Sequence, residues 1–232
     1  AMLGQRNDAD ARIALQNIKK ASEREKAMSS VASWAAREGR LRIAKNLVAS
    51  ITTAAIKDSA LVAIAESEAS YEGVQPALRT ADSILSSARR NDAYRRIALK
   101  RSAVRDFSEA ERAVICINDK KVKDATLGSI AKQRARSGDL TGGLKTLLSL
   151  DDQIYADASL RSLSDELAKS GRFSTSAYIT TRITGEREKS FALENLSVEQ
   201  AKSGDLLGSL QQADAISIKS VRERTLRSVS SV

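Results

Sequence analysis

The sequence predicts an all-α protein, an α-solenoid of stacked helix-turn-helix repeats, and three observations lead there. The first is a period of 33 residues: one apolar station is filled by Ile18, Ile51, Ile84, Ile117, Leu150, Ile183 and Ile216. Two further columns keep step with it, one of Met28, Leu61, Tyr94, Leu127, Leu160, Leu193 and Leu226, the other of Val31, Ile64, Ile97, Ile130, Leu163, Leu196 and Val229. Apolar columns at a fixed period mark a repeat array, in which each unit buries its apolar face by stacking on its neighbours. The second is composition. Hydrophobic residues make up 42% of the 232 but aromatics only 3%, so the interior must be built from Ala, Leu, Ile and Val, which suits closely packed helices. The third is the single proline, which leaves helix formation almost uninterrupted. About seven units, with half-repeats at both ends, fill residues 1–232 as one repeat domain.

Asp124 to Leu150 shows the unit most clearly: a helix, a Gly-Asp turn and a second helix. The first helix is expected to open on a polar cap column, Glu25, Asp58, Asn91, Asp124, Asp157, Ser190 and Glu223, since such oxygens accept from the free N–H groups of a first turn. Apolar residues then recur at three- and four-residue spacing, as in Leu61, Ile64, Ala65 and Ala69, the buried stripe of an amphipathic helix.

The stop column reads Gly39, Glu72, Arg105, Gly138, Gly171 and Gly204. Glycine just past a helix end adopts the left-handed conformation without a side-chain penalty. Gly73 after Glu72 predicts a turn shifted by one residue, while Arg105 has no neighbouring glycine and is the weak point. The second helix begins at Leu41, Val74, Phe107, Leu140, Phe173 and Leu206. Small residues follow at Ala11, Ala44, Ala77, Ala110, Gly143, Ser176 and Ser209, and they predict the close contact within each pair.

In the linker just before each cap stands a basic residue, Arg24, Lys57, Arg90, Lys123, Lys189 and Arg222, with Ala156 the exception, and it suits the negative end of the helix before it. The chain opens in a second helix, around residues 8–18, and closes inside a first one, residues 224–232. Neither end carries the polar capping helix that solenoids need, so the half-repeats either act as caps or belong to a longer array, and the second is favoured.

The L-x-x-I-A of the first helix, the turns at Gly138-Asp139 and Gly204-Asp205, and the pairs Gly143-Leu144 and Ser209-Leu210 resemble a tetratricopeptide repeat over essentially the whole chain. The Thr-Pro-Leu-His turn of ankyrin repeats is missing, as is the Gly-Gly pair of DNA-reading effector repeats. The resemblance implies a right-handed superhelix whose first helices line a concave groove. Carried over position by position, it points Arg37, Arg95, Lys132, Arg136, Arg161, Lys169 and Lys202 into that groove with Glu66, Asp165 and Glu194, and makes Leu99, Phe191 and Val198 its apolar footholds. It therefore implies a positive face.

Several chemistries lack their residues. The chain has no histidine, one cysteine and no Gly-rich phosphate loop, so no metal, cofactor or catalytic residue is expected. Cys116, beside the core position Ile117, reads as a buried, unreactive thiol. Asp151-Asp152 lie in a linker, and Glu66 and Glu68 do not share a helix face, so neither is read as an acid–base pair. No run approaches the roughly 18 apolar residues of a membrane span, so the chain is expected to be soluble. No secretory leader is legible at its start.

The net charge of +9 and the pI near 9.8 suit acidic partners, though a solenoid's large surface also carries many solvated charges. The densest basic stretch, Arg89 to Arg105, has only Tyr94 as an aromatic, and the repeat assigns that residue to the core. Base stacking is therefore not expected there. The sequence favours a non-enzymatic scaffold that binds an acidic protein or peptide segment in the groove. A nucleic-acid-binding repeat protein and the non-catalytic superhelical part of a longer enzyme are the alternatives.

Overall fold

Every regular element among the described residues is a helix. The computed structural model describes residues 14–231, so Ala11 and most of the opening helix expected around residues 8–18 lie outside them. Thirteen helices follow the helical residues 14–16. They are α1 (Ala21–Arg37), α2 (Leu41–Ala49), α3 (Ala54–Tyr71), α4 (Val74–Asp82), α5 (Ser87–Ala103), α6 (Phe107–Ile115), α7 (Lys120–Arg136), α8 (Leu140–Leu148), α9 (Gln153–Lys169), α10 (Phe173–Thr180), α11 (Glu186–Lys202), α12 (Leu206–Asp214) and α13 (Lys219–Val229). Odd-numbered helices are the long first helices and even-numbered ones the short second helices. Every second helix starts at the residue the repeat predicts.

Packing divides the chain into two compact units, residues 1–126 and 127–232. In the first, α1–α2, α3–α4 and α5–α6 are antiparallel pairs, and α1, α3 and α5 pack side by side while α4 and α6 meet only lightly. The second repeats the pattern with α9–α10 and α11–α12, and with α9, α11 and α13 side by side. In both, first helices form a continuous layer and second helices a sparser one. The stations Ile51, Ile84 and Ile117 are buried in one unit, and Leu150, Ile183 and Ile216 in the other.

Close approach within each pair rests on the small column. Ala44, Ala77 and Ala110 are fully buried in the first unit, as are Ser176 and Ser209 in the second. A Cβ at Gly143 would stand 2.6 Å from the carbonyl oxygen of Ala131, so α7 and α8 approach closely enough to exclude even a methyl group. The Ser176 hydroxyl lies 2.8 Å from that of Ser164 and bonds the Ser164 carbonyl at 2.9 Å, which satisfies polar groups that the same contact buries.

The turns hold one departure that the sequence located and one that it only flagged. Gly39, Gly138, Gly171 and Gly204 have φ of +73°, +101°, +76° and +89°. The second repeat places this conformation at Gly73, because α3 runs to 18 residues where α1 and α5 have 17. Arg105, without a glycine, takes the left-handed turn itself at φ +64°.

The polar column does not cap the first helices, which corrects the expectation. Each residue sits one turn inside its helix, all but the exposed Glu223 are buried, and four of them bond the linker that leads to the next first helix through its backbone N–H groups. Glu25 accepts from the Thr52 and Thr53 N–H groups at 2.8 and 3.2 Å, and from the Thr52 hydroxyl at 2.6 Å. Asp58 accepts from Leu85 and Ser86 at 3.1 and 2.9 Å, and Asn91 from Asn118 at 3.1 Å. In the second unit Asp157 accepts from Thr184 and Gly185 at 3.0 and 2.7 Å. These are the free donors around the start of a helix, satisfied by the preceding repeat. The Thr52 hydroxyl, then its neighbour Thr53, hold the Glu25 carboxyl down to about 2.

The basic column also lies inside the first helix rather than in a linker. Arg24 and Arg90 reach back to the carbonyls of Ile18 and Ile84 at 3.4 and 3.3 Å, so these two have the structural use foreseen for the column. Three of the six second helices carry their own side-chain caps. Asp106, Asp139 and Asp205 accept from Glu109, Gly142 and Gly208 N–H groups. A donor at the end of the first helix steadies each: Arg101 for Asp106, Arg134 for Asp139 at 2.8 Å, and Gln200 for Asp205 at 2.7 Å.

Candidate functional site

The candidate groove residues fall on two stretches of first-helix layer. The first unit carries Arg37 on α1 and Arg95 and Leu99 on α5. In the second, Lys132 and Arg136 lie on α7, Arg161 and Lys169 on α9, and Phe191, Val198 and Lys202 on α11. Spacing of four, seven or eight residues within a helix sets these side chains on one flank. The second-unit stretch gathers several of them into a cleft. It has a volume of about 520 Å³, and Arg136, Arg161, Asp165 and Lys169 line it with Glu166 and Glu188.

Most of the cations there already have acids. Arg136 grips Glu166 with two parallel bonds of 2.6 and 2.8 Å, a geometry that only a guanidinium offers a carboxylate, and it draws Glu166 below the usual range. Arg161 bonds Glu188 at 3.0 Å and stands 3.7 Å from Asp165. Its guanidinium also lies 5.0 Å from the centre of the Phe191 ring, and that of Arg187 lies 5.7 Å from it. Phe191 is thus a stacking partner of two arginines as well as an apolar foothold. Lys202 pairs with Glu199 at 2.8 Å. Among the described residues, Lys132 and Lys169 have no ion pair.

In the first unit Arg95 pairs with Asp92 at 2.6 Å, and Arg37 bonds the Ser33 carbonyl of its own helix at 3.3 Å. Glu66 pairs with Arg96 at 2.9 Å and Glu194 with Arg224 at 2.6 Å. The sequence count of seven bases against three acids is therefore too positive, because Asp92, Glu166, Glu188 and Glu199 stand against the same cations. The missed signal is a charge period. Glu66 and Arg96, Arg136 and Glu166, and Glu194 and Arg224 are all opposite charges 30 residues apart, which places them on adjacent first helices.

Asp165 is the exception in the cleft. Burial pushes its carboxyl above the usual range, and its Oδ1 is buried without a hydrogen-bond partner. Elsewhere, the basic stretch of Arg89 to Arg105 is mostly engaged. Arg89 bonds the Ser59 hydroxyl, Arg96 and Lys100 reach Glu66, and Arg101 bonds Asp106 and the Ala69 carbonyl. Tyr94 is buried with its hydroxyl on Asp82. Cys116 is half-buried, and burial raises its thiol pKa, with the Asp82 charge adding to the effect. Asp152 caps α9 through the Tyr155 N–H at 3.1 Å. No group of three or more metal-ligating side chains occurs among the described residues, and no helix there is long and apolar enough to cross a membrane.

No protein-family model matches the chain, and no curated protein matches it. Among solved structures, Ton1535 from Thermococcus onnurineus NA1 is similar with a TM-score of 0.36 and 14% identity, over 96% of this chain and 83% of that one. That likeness is too distant to bear on the site.

Proposed function

We propose that the chain is a non-enzymatic scaffold of tetratricopeptide-like repeats, a right-handed solenoid whose first-helix layer binds an acidic protein or peptide segment. The observation that carries this reading is the cleft of Arg136, Arg161 and Lys169, where fixed guanidiniums lie beside a lysine with no acid of its own. A partner carboxylate meets Lys169 directly. It takes Arg136 by exchange with Glu166, which keeps the planar two-bond geometry intact. Phe191, with Arg161 and Arg187 over its ring, supports an aliphatic neighbour of that carboxylate.

Binding through backbone phosphates is the competing reading. Against it, the arginines of α5 are bonded within the protein, and Tyr94 is unavailable for stacking. A pull-down from native lysate, at low and moderate salt and with and without nuclease, separates the two. The scaffold predicts a discrete protein that survives nuclease and moderate salt. Recovery of nucleic acid alone, lost on nuclease treatment, overturns it.

A further inference from the structure

The second repeat breaks the pattern of its neighbours in three ways, and all three meet in one groove. Where three other repeats end the first helix with Arg101, Arg134 or Gln200 on the aspartate that caps the second helix, this one places Glu68, and its second helix follows Gly73. Its first helix, α3, is one residue longer than α1 and α5. The chain's one proline, Pro76, lies in its second helix. Between α2 and α4, over α3, Glu68 and Pro76 line a groove of about 470 Å³.

Glu68 is 1% exposed. Its Oε1 meets the Lys45 ammonium at 2.7 Å, while Oε2 is buried with no hydrogen-bond partner. In three other repeats this station is a donor, Arg101, Arg134 or Gln200, bonded to the aspartate of its own turn, and in two it is apolar, Ala35 and Leu167. Here it is an acceptor with half its capacity unused, and a buried acceptor without a donor is costly. Lys45 is the movable part, since its side chain is 44% exposed and it also reaches Glu72 at 3.2 Å. Further along the groove stand Lys57 and Arg79, which have no ion pair among the described residues. Half-buried Leu61 gives the apolar surface between the two ends, and the buried Ile64 and Val48 also line the groove.

We propose that this groove is a second binding site, for an extended peptide segment in which a carboxylate side chain neighbours an aliphatic one. The carboxylate meets Lys57 and Arg79, the aliphatic side chain covers Leu61 and Ile64, and a backbone N–H of the peptide reaches Glu68 Oε2 as Lys45 shifts onto Glu72. A peptide supplies all three chemistries at once, whereas a simple anion leaves Glu68 unanswered. The site lies in the first unit and does not depend on the cleft of the second.

The test titrates the full chain with a fluorescein-labelled octapeptide, Gly-Gly-Asp-Leu-Asp-Leu-Gly-Gly, and with its Asn-for-Asp counterpart, by fluorescence polarisation. Saturable binding of the acidic peptide is expected. The double variant Lys57→Glu/Arg79→Glu and the Asn peptide should each weaken it by roughly tenfold or more. Glu68→Gln should weaken it by about threefold or more through the lost acceptor charge. Lys57 is half-buried and Arg79 exposed, so the double variant keeps the fold and carries the test even where Glu68→Gln does not fold. In a Lys132→Glu/Lys169→Glu background, which removes the acidic-segment cleft of the second unit, saturable binding and its loss on Lys57→Glu/Arg79→Glu should both persist. Equal affinity for both peptides, or indifference to Lys57→Glu/Arg79→Glu, overturns the proposal. So does the absence of saturable binding, and so does a loss confined to Lys132→Glu/Lys169→Glu, which would assign the peptide to the cleft in the second unit.

Discussion

Arg105 holds a left-handed backbone with a Cβ penalty that four of its counterparts avoid by being glycine. Because its side chain is exposed, Arg105→Gly should relieve strain without leaving a cavity, and it should stabilise the protein by about 1 kcal/mol in urea denaturation. Asp165 carries strain of another kind. Burial favours its protonated form, so its contribution to stability is greatest below the ordinary carboxylate pKa and is lost as pH rises through its raised folded value. Asp165→Asn keeps the shape and removes the buried charge. Its melting temperature should exceed the wild type's by a few degrees at pH 7, and the two should converge near pH 4. The sequence placed Asp165 on the right helix face. Its burial was not legible, because that depends on how closely α11 lies beside α9.

At the scale of the helix pair, the polar column shows how far a sequence reading goes. The period and chemical type of Glu25, Asp58, Asn91 and Asp157 were plain, and so was a helix start nearby. The helix each one serves was not, because a cap and an inter-repeat bond both need an oxygen beside a free N–H. Second-helix starts were legible to the residue because a large apolar residue recurs there at the 33-residue period, just after a glycine in five of the six repeats.

Asp157 tests the inter-repeat bond. Burial alone would raise its carboxyl, but the Thr184 and Gly185 donors and Gln153 hold it below the usual range. Stability from such a depressed carboxylate is fully present above the unfolded pKa near 4 and is lost as pH falls through the lower folded value. Asp157→Ala should cost about 2–3 kcal/mol at pH 7. Its deficit relative to the wild type should shrink as the pH is lowered toward 2, measured by denaturation across pH.

For the whole molecule, a 33-residue period sufficed to predict an all-helical chain of adjacent pairs, since apolar stations at fixed spacing leave few other ways to bury them. The net charge of +9 was legible too, but the distribution of that charge was not. Pairing at 30-residue separation turns much of a basic face into ties between first helices, and only the folded packing reveals which cations remain. Lys132 and Lys169 are those that matter most to the proposed function. The most direct measurement is the affinity of a fluorescein-labelled twelve-residue oligoglutamate for the wild type and for Lys132→Glu/Lys169→Glu at two salt concentrations. Binding weakened roughly tenfold or more by the double charge reversal is the predicted result. Equal affinity for the two proteins would contradict an acidic-segment site on this first-helix layer.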